Sequence, residues 1–336
     1  MKRVDYKLII AIIFISLIGC IMIYSSSSIW AEYKFGDAYK YLKAQVMFLI
    51  IGYVLLYIVT KVDYRKYFNK ANIIFGVCFL LLILVLIPGI GTVRNGSRSW
   101  FGIGGFGMQP SEFMKLGLTI FVSKYLVNNS RDIKNIKKGI FPILLIIFLV
   151  FALIMFQPDF GTGVVITFSL IVLLFVSGCR LGFFVKLGAL GIVGIVVLIL
   201  IAPYRMERIV SFLNPWSDPL GSGFQIIQSL YAIGPGGLLG LGLGNSIQKH
   251  FYLPEPQTDF IFSIISEEFG FMGILIVATL FLIIIIKGLK ISRNIKEPFG
   301  KFLAFGITFG LSFQALLNLM VVTGLIPVTG VTLLGN

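Results

Sequence analysis

The stretch ILIVATLFLIIII, residues 274–286, contains no charged residue and no polar face. A second stretch of this kind covers residues 73–87. Hydrophobic residues make up 57% of the chain and charged residues only 12%, whereas soluble domains carry about 25% charged residues. The mean hydropathy is +0.98. Because a buried helix of a soluble protein would still need a polar face, these stretches indicate a membrane protein.

Several runs approach the length of about 20 apolar residues that a helix needs to cross about 30 Å of hydrocarbon. They predict an all-α, polytopic membrane helix bundle that forms a single integral membrane domain over residues 1–336. Residues 203–259 are predicted to form a large extracytoplasmic loop. The nine predicted spans are Leu8–Tyr24, Gln45–Thr60, Ile73–Ile87, Ser111–Leu126, Gly139–Phe156, Gly161–Val176, Phe183–Ile201, Phe260–Ile286 and Phe302–Leu325.

Basic residues are distributed unevenly over the connections between these spans. With the N-terminus in the cytoplasm, most of the 28 Lys and Arg residues fall on inner segments, as the positive-inside rule requires. The net charge of +14 is then explained by topology and by contact with anionic lipids, and not by nucleic-acid binding. Three widely spaced cysteines and one histidine, His250, indicate neither a disulfide framework nor a multi-histidine metal site.

Three outer segments concentrate the polar residues, so the chemistry is expected on the outer side. They cover residues 91–110, 157–162 and 203–259. The glycine-rich run Gly234–Gly244 follows no strand of a βαβ unit, so its likeness to a dinucleotide-binding loop carries no weight. It is better interpreted as irregular backbone at membrane depth, which persists only where protein or a water-filled cavity covers it.

The long outer loop ends in PEPQTD, residues 254–259, which places Asp259 directly before an apolar span. An ionisable group at a membrane boundary is a functional candidate by default. The alternative is that Asp259 caps the following helix, and the two roles are compatible because a helix N-terminus stabilises an anion. Glu267 lies two turns further on the same helix face and is expected to orient the site or to pair with a cation.

Further candidates lie in the other two outer segments and the helices beside them. Glu112 and Lys115 share one face of the fourth span, where a buried structural ion pair and a role in shaping the site are equally open. Asp159 follows a tight turn and suits a helix cap better than a catalyst. Trp100 is interpreted either as a residue of the interfacial aromatic belt or, with the neighbouring Arg98, as part of a phosphate site.

The long outer loop also carries cations among few acidic residues, namely Arg205, Arg208 and Lys249. Cations at the outer face suit the diphosphate of a lipid headgroup. Two stretches of this loop, residues 212–216 and 224–231, are amphipathic enough to lie along the membrane interface.

Taken together, these segments resemble the SEDS family, the RodA/FtsW/SpoVE-type proteins of bacterial cell shape, elongation, division and sporulation. The resemblance runs along essentially the whole chain and is nearer to the FtsW and SpoVE side. The motifs do not separate the division, elongation and sporulation members. The matching stretches are Gly107–Lys115, Gln157–Gly163, Arg208–Gln228, Gly240–Lys249, Tyr252–Phe262 and Glu267–Gly270.

This resemblance implies a ten-helix peptidoglycan glycosyltransferase of the bacterial cytoplasmic membrane, which polymerises lipid II in cell division or sporulation. It implies that Asp259 matches the essential outer-loop aspartate of the family. A class B penicillin-binding protein, a transpeptidase, is the expected partner. Family chains continue beyond the segment matched by Thr329–Leu333 with a further loop and a tenth helix, so this chain is expected to lack the last helix.

The expected reaction is an inverting glycosyl transfer at the outer leaflet. The 4-hydroxyl of the acceptor sugar attacks the anomeric carbon of a lipid-diphosphate-linked donor, and the diphosphate leaves. Asp259 would act as general base or orient the nucleophile, while Arg98, Arg205, Arg208 and Lys249 are candidates to stabilise the leaving group. A divalent cation, Mg²⁺ or Mn²⁺, is the candidate cofactor, with no metal site that the sequence identifies.

Two other classes of function stay open. A lipid II flippase or other transporter would use intramembrane Glu112 and Lys115 along a translocation path, although the polar residues cluster on one side of the predicted membrane. A non-catalytic scaffold for the transpeptidase is the third class, and the missing last helix favours it.

Overall fold

The computed structural model describes residues 5–94, 96–103, 106–201 and 203–328, without the side chains of residues 103, 106, 195, 198 and 203–205. The chain is mostly helical. A short π-helical turn at Ile136–Ile140 precedes the fifth helix, and 3-10 turns lie at Pro215–Ser217 and Gly234–Gly236. The helices are α1 Tyr6–Phe35, α2 Lys40–Lys61, α3 Arg65–Leu84, α4 Pro110–Asn128, α5 Phe141–Met155, α6 Phe160–Val176, α7 Leu181–Ile201, α8 Pro203–Leu213, α9 Phe224–Ile233, α10 Ile261–Asn294 and α11 Pro298–Val322.

Seven helical segments of the described chain are long and apolar enough to cross a membrane, namely α1, α2, α3, α5 with its π-helical turn, α7, α10 and α11. The helix α6 is apolar but shorter, at 17 residues. Each of the nine predicted spans overlaps one helix of the structure. A polytopic, predominantly helical membrane protein is therefore confirmed, while the count of nine spans stays a prediction.

Helix boundaries follow local capping chemistry, which differs from the extent of the apolar run. The side chain of Asp5 accepts a hydrogen bond from the backbone N–H of Leu8, which caps the start of α1. At the other end, Gly36 adopts a left-handed conformation with φ 69° and its N–H donates to the carbonyl of Glu32. The helix is consequently longer than the span predicted at Leu8–Tyr24, and it carries Ser25 inside its buried face.

The prediction of an all-α fold is wrong in the connection between α3 and α4. Three antiparallel strands lie there in the order β1 Thr92–Arg94, β2 Ser97–Ile103 and β3 Phe106–Met108. Between β1 and β2 the sequence reads Asn95-Gly96, the dipeptide favoured in tight hairpin turns because both positions tolerate positive φ. Gly96 has φ 79°, so local turn chemistry produces a small sheet where apolar periodicity indicated only a loop.

The chain packs as two compact units, each with its own hydrophobic core. The first unit comprises Met1–Ile58, Gly194–Lys287 and Gln314–Asn336, and its core includes Met22, Phe260 and Val322. The second unit comprises Val59–Val193 and Gly288–Phe313. Its largest core is built from α3, α4, α5 and α6, with fully buried side chains that include Leu82, Met114, Leu118, Ile147 and Leu170.

The predicted span at Phe260–Ile286 corresponds to α10, which is not one continuous helix. Gly270 has φ 60° and ψ −153°, a conformation open essentially to glycine alone, and it separates a short first segment from a long second one. The helix also continues to Asn294, beyond the predicted end. The apolar pattern on both sides of Gly270 explains why the sequence alone predicted a single span.

Candidate active site

Asp259 lies at the end of the turn-rich segment 251–260, two residues before α10 begins at Ile261. Asp259 is half-buried. Its backbone carbonyl accepts a hydrogen bond of 2.8 Å from the side-chain amide of Asn318 on α11. The next residue, Phe260, is fully buried in the core of the first unit. The backbone of Asp259 is thus held on both sides, and the residue as a whole is half-buried.

Two non-glycine residues of the same segment adopt left-handed backbone conformations, namely Phe251 with φ 68° and Glu255 with φ 49°. Each such conformation costs about 1–3 kcal/mol and persists only where surrounding contacts determine it. The N–H of Thr258 donates to the carbonyl of Glu255 at 3.1 Å, which closes a turn directly before Asp259. Strain of this kind concentrates at functional sites.

Glu267 is buried and its carboxylate is fully used by the preceding loop. It accepts hydrogen bonds from the hydroxyl of Ser246 at 2.5 Å and from the backbone N–H of Ile247 at 2.8 Å. A longer bond of 3.4 Å comes from the N–H of Gln248. The carboxylate of Glu267 holds the loop that leads toward Asp259, and its described partners include no cation. The expected role of orienting the site stays a prediction.

Lys249 was predicted as a cation for a diphosphate, but its ammonium is turned inward. Its side chain is 3% exposed and forms an ion pair of 2.9 Å with Glu268, whose side chain is fully buried. The ammonium also donates to the hydroxyl of Ser25 at 3.2 Å and to the carbonyl of Gly244 at 2.6 Å. These three acceptors match its three N–H donors, so Lys249 cannot bind a ligand without losing a partner.

Arg208 lies on α8 and is the loop cation that the structure leaves accessible. Its guanidinium donates to the carbonyl of Val328 at 2.9 Å, and the bond lies at the surface. The residue is exposed, so a phosphate can reach its guanidinium. The side chain of Arg205 lies outside the described residues, as do residues 329–336, which carry the last segment that was matched to the family.

In the second unit, Asp159 caps α6 as predicted. Its carboxylate accepts from the N–H of Thr162 at 3.1 Å and from the side-chain amide of Gln109 at 2.8 Å. Desolvation of this half-buried group raises the pKa of Asp159 above its ordinary value, an effect that the hydrogen bonds from Thr162 oppose. The carboxylates of Asp159 and Glu112 are close enough to interact, and the Glu112 charge raises that pKa further.

Glu112 and Lys115 form the predicted i, i+3 ion pair on α4, with the ammonium 2.6 Å from the carboxylate. Both side chains are partly exposed in the structure. Glu112 and Lys115 lie close to Asp159, because the charges of both act on its carboxyl. Gln109, which donates to the same carboxyl, belongs to this cluster of polar side chains. The ion pair is present but partly exposed, which differs from the buried pair that was one alternative, and the role in shaping the site stays a prediction.

Arg98 and Trp100 both lie on β2, but they do not act as a pair. The guanidinium of Arg98 donates to the carbonyl of Leu86 at 3.5 Å and is half-buried. The cation over the ring of Trp100 is that of Arg94 on β1, 5.1 Å from the ring centre. Arg94 was not among the predicted candidates, because its contact with Trp100 depends on the pairing of β1 with β2, which the sequence did not predict.

No group of three or more His, Cys, Asp or Glu side chains that could bind a metal ion occurs among the described residues. The expected divalent cation therefore has no cluster of protein ligands there, and we assign no step to it. The candidate site residues fall into two groups. Asp259, Glu267, Lys249 and Arg208 belong to the first unit, and Arg98, Trp100, Glu112, Lys115 and Asp159 belong to the second.

Comparison with known families and structures identifies the relatives of this chain. The family of FtsW, RodA and SpoVE, described as "Cell cycle protein", matches residues 6–334. The chain belongs to this family. Stage V sporulation protein E of Bacillus subtilis (strain 168) is 51% identical over 329 residues, which cover 98% of this chain and 90% of that protein.

Other relatives match the chain over nearly the same length at lower identity. A protein of Geobacter sp. (strain M18) named probable peptidoglycan glycosyltransferase FtsW is 38% identical and covers 99% of this chain and 92% of its own. Among solved structures, one from the study "Structural coordination of polymerization and crosslinking by a peptidoglycan synthase complex" has a TM-score of 0.80 at 31% identity, over 99% of this chain and 91% of its own. The rod shape determining protein RodA of Thermus thermophilus has a TM-score of 0.71 at 27% identity, over 99% and 89%.

Within this FtsW/RodA/SpoVE fold, three residues to which the sequence analysis gave no role make contacts in the first unit, one with Asp259 itself and two with Lys249. Glu268, Ser25 and Asn318 all lie inside predicted spans or next to one, and each contacts a residue far away in the chain. A signal was present for Glu268, because a carboxylate inside an apolar span requires a partner. For Ser25 and Asn318 the sequence carried no distinguishing signal.

Proposed function

We propose that the chain is a peptidoglycan glycosyltransferase that polymerises lipid II at the outer face of a bacterial cytoplasmic membrane, with Asp259 as the catalytic carboxylate. The observation that carries this proposal is the position of Asp259. This half-buried acid follows a strained turn, and its backbone is held by the hydrogen bond from Asn318 and by the buried neighbour Phe260. Similarity to relatives named peptidoglycan glycosyltransferases over nearly the full chain supports the reaction class.

The proposed topology has nine spans in this chain and a cytoplasmic N-terminus. Basic residues such as Lys61, Lys66 and Lys296 then lie on the inner side. The segment 203–260, with α8, α9 and Asp259, lies on the outer side. The assignment is supported by the overlap of every predicted span with a helix.

The proposed step is an in-line displacement. Asp259 accepts the proton of the acceptor sugar's 4-hydroxyl as the oxygen attacks the anomeric carbon of the donor. The bond from that carbon to the diphosphate oxygen breaks, and lipid diphosphate leaves with the electron pair. A diphosphate is already a good leaving group, so the site needs charge stabilisation there instead of a second acid. Arg208 is the described outer-loop cation that is accessible for this role.

A class B penicillin-binding protein is the proposed partner. The support is similarity to a structure whose study describes a complex that coordinates polymerisation and crosslinking. A polymerase that delivers strands to a crosslinking enzyme would account for this association. The accessible surface of the outer loop, including α8, is where such a partner could reach newly formed strands.

The test supplies purified protein with labelled lipid II in detergent, where no leaflets exist. Wild-type protein is expected to yield ladders of glycan strands, and Asp259→Asn to reduce the rate by about 10²-fold or more, because the isosteric amide cannot accept the proton. Asp218→Asn is the matched control. Asp218 is an exposed acid of the same loop that accepts hydrogen bonds from the backbone of Gly221 and Ser222.

The same assay separates the other classes of function. Transfer of lipid II between leaflets of vesicles, without ladders in detergent, would indicate a transporter. Neither activity from a folded protein would leave the scaffold role. Full polymerisation by Asp259→Asn would contradict the assignment of the catalytic carboxylate while leaving the reaction class in place.

A further inference from the structure

The break in α10 at Gly270 is bridged by the backbone of the glycine-rich run. In a continuous helix the N–H groups of residues 271 and 272 would donate to the carbonyls of residues 267 and 268. Here the N–H of Phe271 donates to the carbonyl of Gly237 at 2.9 Å, and that of Met272 to the carbonyl of Leu238 at 3.1 Å. Both donors of the second helical segment are therefore satisfied by the loop.

The same loop satisfies the carbonyls that the break exposes in the first segment. The N–H of Leu241 donates to the carbonyl of Glu267 at 2.9 Å, and that of Gly242 to the carbonyl of Glu268 at 3.0 Å. Residues 237–242 thus replace two helical hydrogen bonds by four bonds to loop backbone. We call residues 237–242 the splint. Unsatisfied backbone groups inside a predicted span would be costly, so the break depends on the splint.

Glycine is required where the splint and Gly236, the residue before it, meet the helix. A Cβ at Gly240 would lie 2.2 Å from the carbonyl oxygen of Glu268, and one at Gly236 would lie 2.1 Å from that of Ser266. At Gly270 a Cβ would lie 2.5 Å from the backbone nitrogen of Gly240. The glycines of the run therefore allow close approach of two backbones, which is the covered irregular backbone that its composition predicted.

Side chains fasten the rest of this loop to the same helical turn. Glu267 accepts from the hydroxyl of Ser246 and from the N–H of Ile247, as described above. Glu268 accepts from the ammonium of Lys249 and also from the hydroxyl of Ser25, at 2.6 and 2.8 Å to its two oxygens. Both charges of the Lys249–Glu268 pair are buried, so each depends on the other to remain inside the protein.

The segment that carries Asp259 lies between these attachments in sequence. It begins after Lys249 and ends where α10 starts at Ile261, and the Lys249–Glu268 ion pair ties its beginning to α10 about two turns beyond its end. We propose that the Lys249–Glu268–Ser25 network, together with the splint across Gly270, is a positioning device that holds Asp259 for proton transfer. This inference rests on the proposed function. Lys249 and Glu268 are thereby positioning residues, because they act through the loop and not on the substrate.

The test uses Glu268→Gln and the double variant Lys249→Met/Glu268→Gln in full-length protein. Glu268→Gln keeps the shape of the side chain and removes the charge that holds Lys249. The double variant removes both buried charges at similar volume, which avoids leaving one of them unpaired. Lys287→Met is the matched control. It breaks the 2.8 Å ion pair of Lys287 with Asp5, a partly exposed pair of the same unit at the other end of α10 from the splint.

Two measurements are made on each variant. Steady-state polymerisation of lipid II is expected to show kcat lowered by about 10- to 100-fold in both network variants with KM changed less than about threefold, because a displacement of about 1 Å at a reacting group can cost about 10²-fold. Hydrogen–deuterium exchange is expected to accelerate in peptides covering residues 250–260 and to stay unchanged in α3–α6. Lys287→Met is expected to match wild type in both.

The outcomes separate this inference from the proposed function. If both network variants keep kcat within about threefold of wild type and normal exchange in residues 250–260, the positioning role is refuted. A uniform increase of exchange in both units, with loss of thermal stability in the double variant, would also contradict it, since it would indicate a general structural role. If wild-type protein makes no glycan, the proposed function fails, and the exchange measurement still decides whether the network holds the loop.

Discussion

Asp159 shows how a single carboxylate can be assigned to capping instead of catalysis. It accepts hydrogen bonds from the N–H of Thr162 and from the amide of Gln109, so both oxygens are occupied by structural donors. Asparagine caps helices about as well as aspartate, whereas alanine loses about 1 kcal/mol. We predict that Asp159→Asn keeps polymerase activity within a few-fold of wild type and that Asp159→Ala lowers the Tm in detergent. Loss of activity in a stable Asp159→Asn protein would make Asp159 part of the chemistry.

The pH dependence of stability gives a second measurement on the same variants. Desolvation raises the pKa of Asp159 above its ordinary value of 3.8. The folded protein therefore binds the proton of the Asp159 carboxyl more tightly than the unfolded chain does. The protonated carboxyl contributes stability that is fully present below pH 3.8 and is lost as the pH rises through the raised pKa. The neutral amide of Asp159→Asn removes this loss. Its Tm should exceed that of wild type at about pH 8, and the difference should shrink toward about pH 4.

Lys249 marks the limit of residue-by-residue interpretation of the sequence. A cation in an outer loop with few acids favoured a phosphate ligand, and nothing local indicated otherwise. Its partners include Ser25, which lies 224 residues away in sequence, and Glu268 beyond the loop. Only the fold brings these side chains together. Asp259, by contrast, was identified from its own neighbourhood, because the motif and the adjacent apolar helix are contiguous.

At the scale of elements, α10 depends on Gly270. We predict that Gly270→Ala destabilises the protein strongly. The required φ and ψ strain any residue with a Cβ by about 1–3 kcal/mol, and the Cβ would also meet backbone atoms of Gly240, Gly236 and Leu238 within 2.7 Å. Thermal unfolding in detergent measures the effect. Gly234→Ala is the control, since Gly234 has ordinary helical angles and open space around its Cβ position. An unchanged Tm for Gly270→Ala would show that the helix can close without the splint.

The predictions for two elements, the sheet and α10, were wrong for different physical reasons. The sheet at residues 92–108 was foreshadowed by Asn95-Gly96, a strong hairpin dipeptide, but its strands are short and apolar periodicity gave no signal. The break in α10 could not be predicted, because isolated glycines are common in membrane helices. What distinguishes Gly270 is the approach of the splint from another part of the chain, a tertiary contact.

At the scale of the whole molecule, the hydrophobicity of the sequence predicted most of the helices. Nine helices overlap the nine predicted spans, because a helix apolar enough to enter a bilayer leaves a run of apolar residues in the sequence. Hydrophobicity does not indicate which helices pack together, because nearly every face of a helix such as α10 is apolar. The division into two units, each with its own core, therefore emerges only from the structure.

Orientation is a property of the whole molecule, and cysteine labelling tests it. We predict that Ser222→Cys reacts with a membrane-impermeant maleimide in intact cells, whereas Asn294→Cys reacts only after permeabilisation, because the outer loop and the end of α10 lie on opposite sides in the proposed topology. Both positions are exposed, unlike the neighbouring Ser292, which is buried and donates to the carbonyl of Lys301. The native cysteines Cys20, Cys78 and Cys179 are replaced in the parent protein as the background control. Labelling of Asn294→Cys from outside would invert the orientation and place Asp259 in the cytoplasm, where the proposed reaction at the outer leaflet could not occur.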